Sequence, residues 1–202
     1  MVVTIDGATG VGKSTIAKRL SKVLGYSYVS TGRVYRSLAY TIINSQVYDD
    51  IGFYIDNLAI TFSEQNEMIA NGIERDDILQ NEKVAYLAAE IGANIEYKKA
   101  ISEKIVHAVD SRGVVVEGRK SGTILFPTAE LKVYLFADIN TRVVRKMQGK
   151  NDSTFGSVME ALQKRDELVC SLEADYSLSI DVSHRTVESV VSDILNYVPP
   201  CI

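Results

Sequence analysis

The chain has 202 residues, of which 46% are hydrophobic and 24% are charged, and its formal net charge is −4. This length and composition predict one globular domain with room for a small inserted lobe. The mild negative charge argues against general binding to nucleic acid or to an anionic membrane. Cys170 and Cys201 are the only cysteines, and their separation suits a reducing compartment rather than a disulfide or zinc framework.

The hydropathy pattern gives no run of apolar residues long enough for a membrane span. The N-terminus enters a strand pattern directly, without the features of a signal peptide. We therefore expect a cytoplasmic protein that has no membrane or nucleic-acid partner and that acts as a monomer.

The first half of the chain alternates strand and helix patterns. Apolar, β-rich segments predict strands at 2–5 and 26–30, and helical spacing follows each of them. Gly25 is expected to end the first helix, and the hydroxyl of Ser30 or Thr31 to cap the second. The pattern loosens between 46 and 80, where alternation at 58–62 and 67–70 predicts a small inserted β-hairpin.

The second half continues the same alternation. Two helices are expected around 84–91 and 101–109, followed by strands at 114–116 and 131–136 with a loop at 117–123 between them. A basic helix, a polar connection at 148–154 and a further helix come next. The last predicted elements are a strand at 178–182 and an amphipathic helix at 186–198 that Pro199 and Pro200 end. This order predicts an α/β fold with a parallel sheet covered by helices on both faces.

The strongest motif in the chain is Gly7-Ala8-Thr9-Gly10-Val11-Gly12-Lys13-Ser14, which fits the spacing G-x-x-x-x-G-K-[ST] between a predicted strand and a predicted helix. The backbone N–H groups of such a loop, together with the helix N-terminus, bind phosphate oxygens. Lys13 is expected to reach the β- and γ-phosphates of a nucleotide, and the Ser14 hydroxyl to bind Mg²⁺. The motif therefore predicts a phosphate-binding loop.

Further polar residues come directly after predicted strands, where ligands bind in parallel sheets. Glu117 ends an apolar strand, and we interpret it as a direct or indirect magnesium ligand rather than a surface carboxylate. Arg142, Arg145 and Lys146 are either cations of a mobile lid or the solvated face of a helix. The two histidines, His107 and His184, have no second ligand at a suitable spacing and predict no metal site.

Three motifs, in this order, resemble those of the bacterial cytidylate kinase family. They are Ile5-Asp6-Gly7 with Gly12-Lys13-Ser14-Thr15, then Thr31-Gly32-Arg33-Val34-Tyr35-Arg36, and then Glu117-Gly118-Arg119 with Gly122-Thr123 and Phe126-Pro127. The similarity covers nearly the whole chain, including Lys164-Arg165-Asp166. It implies a P-loop kinase that transfers a phosphoryl group from ATP–Mg²⁺ to CMP or dCMP, giving CDP or dCDP.

The resemblance also implies a domain plan and a set of site residues. The plan is a core at 1–36, 100–140 and 175–202, an acceptor-binding insert at about 37–99 and a short lid at about 141–174. Residues 7–15 would bind ATP, with Ser14 and Glu117 at the metal. Thr31, Arg36, Arg119 and Lys120 would lie at the acceptor, and Lys13, Arg119 and Arg165 would act on the transferred phosphoryl group. Arginines suit this chemistry because their planar guanidinium matches phosphate oxygens.

Some acceptor residues depart from the family pattern. Lys120 stands where the family's Asp-Gly-Arg-Asp motif has its second carboxylate, and Val169 and Leu172 lie near the positions of a further Asp and Arg. The identity of the acceptor therefore stays open between CMP or dCMP and another small compound, such as a modified nucleotide. The third alternative is a nucleotide-binding protein that uses ATP or GTP as a switch, or a related protein that binds nucleotide with weak turnover.

Overall fold

The structure is a computed structural model that describes residues 1–45, 50–109, 113–148, 154–167 and 175–198, and of Arg165 and Glu167 it describes the backbone alone. Two compact units make up the chain, one formed by Met1–Leu24 and Val115–Ile202 and the other by Gly25–Val114. The predicted division into core, insert and lid stays a prediction. Cys170, Cys201, Val169 and Leu172 lie outside the described residues.

The strands are β1 (Val2–Gly7), β2 (Ser27–Ser30), β3 (Ile60–Phe62), β4 (Met68–Ala70), β5 (Val114–Gly118), β6 (Leu131–Phe136) and β7 (Leu178–Asp181). The α-helices are α1 (Lys13–Leu24), α2 (Thr31–Asn44), α3 (Ile51–Asp56), α4 (Glu82–Ala93), α5 (Ile95–Ala108), α6 (Ile139–Met147), α7 (Phe155–Glu167) and α8 (Val187–Leu195). A 3₁₀ turn covers Ile78–Gln80, and a π-helix covers Ser121–Leu125.

The first unit is built on four strands in the spatial order β5, β1, β6 and β7. β1 pairs in parallel with β6 from Val3 opposite Leu131 to Gly7 opposite Leu135, and β6 pairs in parallel with β7. β1 and β5 are buried along almost their whole length, as expected for strands of a covered parallel sheet, whereas β6 alternates buried residues with more exposed ones. The predicted α/β class with a parallel sheet is confirmed, and the residues that follow the strands lie at one edge of the sheet.

The second unit combines helices with a hairpin. β3 and β4 pair antiparallel, with Ile60 opposite Ala70, so the predicted inserted hairpin is confirmed. α2 packs on α4 in the core of this unit, and asparagine side chains cap both α4 and α5. The cap predicted for α2 is wrong, since Ser30 occupies the N-cap position without a side-chain capping hydrogen bond and Thr31 is already helical.

Among the described residues, no helix is both long and apolar enough to cross a membrane.

Candidate active site

The phosphate-binding loop leaves the end of β1 and enters α1 at Lys13. Gly7 permits this path because a Cβ there would lie 2.2 Å from the carbonyl oxygen of Leu135 on the neighbouring strand. Gly10 adopts a φ of +86°, which glycine tolerates far better than other residues. The loop therefore brings its backbone to the N-terminus of a 12-residue helix, where N–H groups without helical partners bind anions.

Lys13 folds back over this loop. Its Nζ donates a hydrogen bond to the carbonyl oxygen of Ala8 at 2.8 Å. Burial lowers the pKa of Lys13, and the nearby carboxylates of Glu117, Asp6 and Asp166 oppose that effect, whereas the guanidinium of Arg119 adds to it. The repulsion between the ammonium of Lys13 and the guanidinium of Arg119 would be relieved by a bound anion such as phosphate.

Ser14 and Glu117 meet across the first unit. The Ser14 hydroxyl donates to Glu117 Oε1 at 3.1 Å, and Glu117, at the end of β5, is only 5% exposed. A hydroxyl beside a buried carboxylate supplies the hard oxygen ligands that Mg²⁺ prefers, with phosphate oxygens and water as its remaining ligands. The two residues therefore fit the metal role that the sequence predicts for them. Among the described residues, no group of three or more His, Cys, Asp or Glu side chains could hold a metal ion.

Arg119 and Lys120 follow β5. Arg119 is exposed, and its Nη2 donates to the Thr9 hydroxyl at 3.2 Å, so its side chain reaches the phosphate-binding loop. Lys120 is half-buried and occupies the N-cap position of the π-helix Ser121–Leu125. The structure therefore brings Arg119 together with Lys13, Ser14 and Glu117 in one unit.

Two arginines of α6 contact the same loop, which the sequence left undecided. Arg142 is 7% exposed, donates to the Thr9 carbonyl oxygen at 3.3 Å and forms an ion pair with Asp166 at 2.7 Å. Arg145 donates to the carbonyl oxygens of Val11 and Val182. The solvated-face alternative is therefore wrong for these two residues. The pattern of charges within α6 could not predict these hydrogen-bond and ion-pair partners, because the partners belong to other segments of the chain.

Asp6 is a site residue to which sequence reasoning assigned no role. It is fully buried, its Oδ1 accepts from the Ser121 N–H at 2.7 Å and its Oδ2 accepts from the Gly122 N–H at 2.8 Å. Burial raises the pKa of Asp6, and the two backbone hydrogen bonds oppose that rise. The sequence feature that could have pointed to Asp6 is a carboxylate at the end of a mostly apolar strand, directly before the phosphate-binding loop.

The predicted acceptor residues Thr31 and Arg36 belong to the second unit. Thr31, the first residue of α2, is buried, and Arg36 is half-buried with Nη1 3.5 Å from Gln80 Oε1. Arg33 of the same motif is held by Asp76, with 2.9 Å between its Nε and the carboxylate.

An open cleft of about 540 Å³ lies beside α6. Its lining includes Asp138, Thr141, Arg145 and His184. Because Arg145 also binds the Val11 carbonyl oxygen, the cleft is next to the phosphate-binding loop. Arg165 lies on α7, but its side chain is outside the described residues.

The family model described as Cytidylate kinase matches residues 3–200 of this chain. A cytidylate kinase of Cytophaga hutchinsonii is 33% identical, over 97% of this chain and 92% of that protein. A cytidylate kinase of Ligilactobacillus salivarius is 26% identical, over 97% and 95% of the two chains. The solved structure of shikimate kinase from Acinetobacter baumannii in complex with shikimate superimposes with a TM-score of 0.54, covering 96% of this chain and 90% of that one at 12% identity. This last similarity concerns the fold alone.

Proposed function

Because this chain belongs to the cytidylate kinase family, we propose that it transfers the γ-phosphoryl group of ATP to CMP or dCMP, giving CDP or dCDP. The family confirms that the chain is a kinase of the nucleoside monophosphate class. The choice of ATP as donor and of a cytidine nucleotide as acceptor belongs to the proposal.

One observation supports phosphoryl transfer at this site more than any other. Arg119 reaches Thr9 of the phosphate-binding loop, and its positive charge acts on Lys13. Phosphoryl transfer passes through a loose transition state that is stabilised mainly by positioning and by positive charge. Two cations from separate segments at one loop meet that requirement, whereas a loop that only holds a nucleotide has no need for the second one.

The donor would bind along the loop and the cleft beside α6. Backbone N–H groups of residues 7–15 and Lys13 Nζ would bind its phosphates, and the cleft near Arg145 and His184 would hold its base. Ser14 and Glu117 would hold Mg²⁺, which neutralises charge on the phosphates when bound. Arg119 and Arg165 would contact the transferred group, while Thr31, Arg36 and Lys120 would bind the acceptor.

A panel assay tests the proposal. The protein is incubated with ATP–Mg²⁺ and, separately, CMP, dCMP, UMP, AMP, GMP and dTMP, and ADP release is followed. Turnover restricted to CMP and dCMP is expected, because a site that hydrogen-bonds one base rejects bases that leave its polar groups unpaired. Turnover with none of these compounds would contradict the proposal. A Lys13→Ala variant gives the background rate.

Lys120 favours one second candidate, a kinase of the same fold with a different small acceptor. A half-buried cation stands where the family motif has a carboxylate, and an acceptor with more negative charge than CMP would gain from it. A Lys120→Asp variant separates the two candidates. The substitution should improve turnover of CMP if another compound is the natural acceptor, and should leave it equal or lower if CMP is.

A further inference from the structure

Asp6 connects two segments that are distant in sequence. Both of its carboxylate oxygens accept backbone N–H groups, from Ser121 at 2.7 Å and from Gly122 at 2.8 Å. These two amides open the π-helix Ser121–Leu125, and the first N–H groups of a helix have no partner within it. One buried carboxylate therefore holds the start of this helix through two hydrogen bonds.

At Gly122 the backbone of the π-helix packs so closely against β1 that there is no room for a side chain. A Cβ at residue 122 would lie 2.6 Å from Thr4 Oγ1 and 3.4 Å from Asp6 Oδ2. The backbone of the π-helix thus rests directly on the side chains of β1, and a larger residue would force it away. Close packing against Thr4 and Asp6 therefore fixes the position of the π-helix, in addition to the two hydrogen bonds.

A second contact joins the same two segments a few residues further on. Arg119 lies two residues before Ser121, Thr9 lies three residues after Asp6, and Arg119 Nη2 donates to Thr9 Oγ1 at 3.2 Å. Hydrogen bonds therefore join the segments 6–9 and 119–122 at two places, from Asp6 to the amides of Ser121 and Gly122 and from Arg119 to Thr9. Because only Lys120 separates Arg119 from the anchored amide of Ser121, the backbone of Arg119 has little freedom to move from the loop.

We propose that Asp6 is a positioning residue for phosphoryl transfer, which holds Arg119 against the phosphate-binding loop through the amides of Ser121 and Gly122. This role rests on the proposed function. Asp6 itself touches no reacting atom. Its contribution is realised in the transition state, where the placement of a cation matters most, and much less in the binding of ATP.

An Asp6→Asn variant tests the proposal. The side-chain amide keeps the size of the carboxylate but replaces one acceptor oxygen by an NH₂ group, so one of the two backbone N–H groups faces another donor. We expect kcat with CMP to fall by about tenfold or more, while the dissociation constant of ATP changes by less than about threefold. Loss of ATP binding in step with kcat would overturn the proposal.

A double-mutant cycle that compares kcat of Asp6→Asn, Arg119→Ala and the double variant separates a role through Arg119 from a general loss of stability. If Asp6 acts through Arg119, Asp6→Asn costs little once the guanidinium is gone, and the double variant stays within about threefold of Arg119→Ala alone. Independent effects would instead multiply, and that outcome contradicts the proposal. Ile194→Val, a conservative change at a fully buried position of α8, is the control for general loss of stability and should leave kcat of the otherwise unchanged protein within about twofold of the wild type.

Hydrogen exchange measured without nucleotide separates this proposal from the proposed function. Peptides covering 117–125 should exchange faster in Asp6→Asn than in the wild type or in Ile194→Val. Unchanged exchange there would overturn the anchoring role whether or not any monophosphate is turned over. Failure of the wild type in the acceptor panel would refute the proposed function alone. If Asp6→Asn does not fold, Gly122→Ala displaces the same contact from the other side and takes its place in both measurements.

Discussion

The hydroxyl of Ser14 donates a hydrogen bond to Glu117 Oε1 at 3.1 Å, which joins the first turn of α1 to the end of β5. These residues are 103 positions apart in the chain. Parallel strands explain the meeting, because the loops that follow neighbouring strands emerge at the same edge of the sheet. The contact pairs a ligand type suited to Mg²⁺ with a buried negative charge, next to the lysine that is expected to bind phosphate.

Replacement of Glu117 by Gln is expected to raise the Mg²⁺ requirement. The amide keeps the shape and the hydrogen bond from Ser14 but removes the negative charge, so the concentration of Mg²⁺ for half-maximal turnover should rise by about tenfold or more. The measurement is turnover as a function of Mg²⁺ at saturating ATP. Glu64→Gln, at an exposed position of the turn between β3 and β4, is the matched control. An unchanged Mg²⁺ dependence in Glu117→Gln would remove Glu117 from the metal site.

Replacement of Lys13 by Met is expected to abolish most activity without lowering stability. Loss of the ammonium should reduce kcat by at least about a hundredfold, since it removes a charge aimed at the transferred phosphoryl group. Burial lowers the pKa of Lys13, so the folded state binds this proton more weakly than the unfolded chain does. The buried Lys13 ammonium therefore lowers the free energy of unfolding. This loss is complete at pH values below the folded-state pKa of Lys13, and it declines as the pH rises from that value towards the ordinary lysine pKa.

Two measurements check the Lys13 prediction. Steady-state turnover gives the loss of activity, and thermal unfolding at pH 7 should give a midpoint no lower than that of the wild type. Lys22→Met, at the exposed C-terminal end of the same helix, is the control and should leave turnover unchanged. Near-normal turnover of Lys13→Met would show that the loop is not the donor site.

Local pattern was enough to predict the sheet, most of the helices and the phosphate-binding loop. α3 (Ile51–Asp56) was missed because six residues are too short for helical periodicity, and its visible signals are the Asp50 cap and the single buried residue Ile55. The π-helix Ser121–Leu125 was predicted as a loop, since its first amides are held by Asp6 from 115 residues away.

The candidate site shows the same limit. Residue type and place after a strand single out Glu117, and the motif singles out Lys13 and Ser14. The structure brings the three side chains together, and their roles stay predictions. Arg142 could not be assigned, because its burial depends on Asp166 and on the Thr9 carbonyl oxygen, and neither is a neighbour in sequence. Residue type and local pattern therefore point to candidate residues, but they do not reveal contacts between residues that are distant in the chain.

The ion pair between Arg142 and Asp166 leads to a prediction for stability. Asp166→Asn leaves the nearly buried guanidinium without its counter-charge, and we expect the free energy of unfolding to fall by about 1–2 kcal/mol, less than for a fully buried pair because the Asp166 side chain is 30% exposed. Urea denaturation measures this change. The double variant Arg142→Met with Asp166→Leu should recover most of the loss, and equal losses in both proteins would show that the pair contributes no coupling.

Replacement of Arg36 by Ala is expected to weaken use of the acceptor selectively. Arg36 is half-buried on α2, and its planar guanidinium can bind two phosphate oxygens at once. Charge-assisted hydrogen bonds to a phosphate contribute about 1.5–3 kcal/mol, so KM for CMP should rise by about ten- to a hundredfold while the dissociation constant of ATP stays the same. Lys99→Ala, an exposed position of α5, controls for loss of positive charge in this unit. A fall in ATP affinity with an unchanged KM for CMP would place Arg36 at the donor instead.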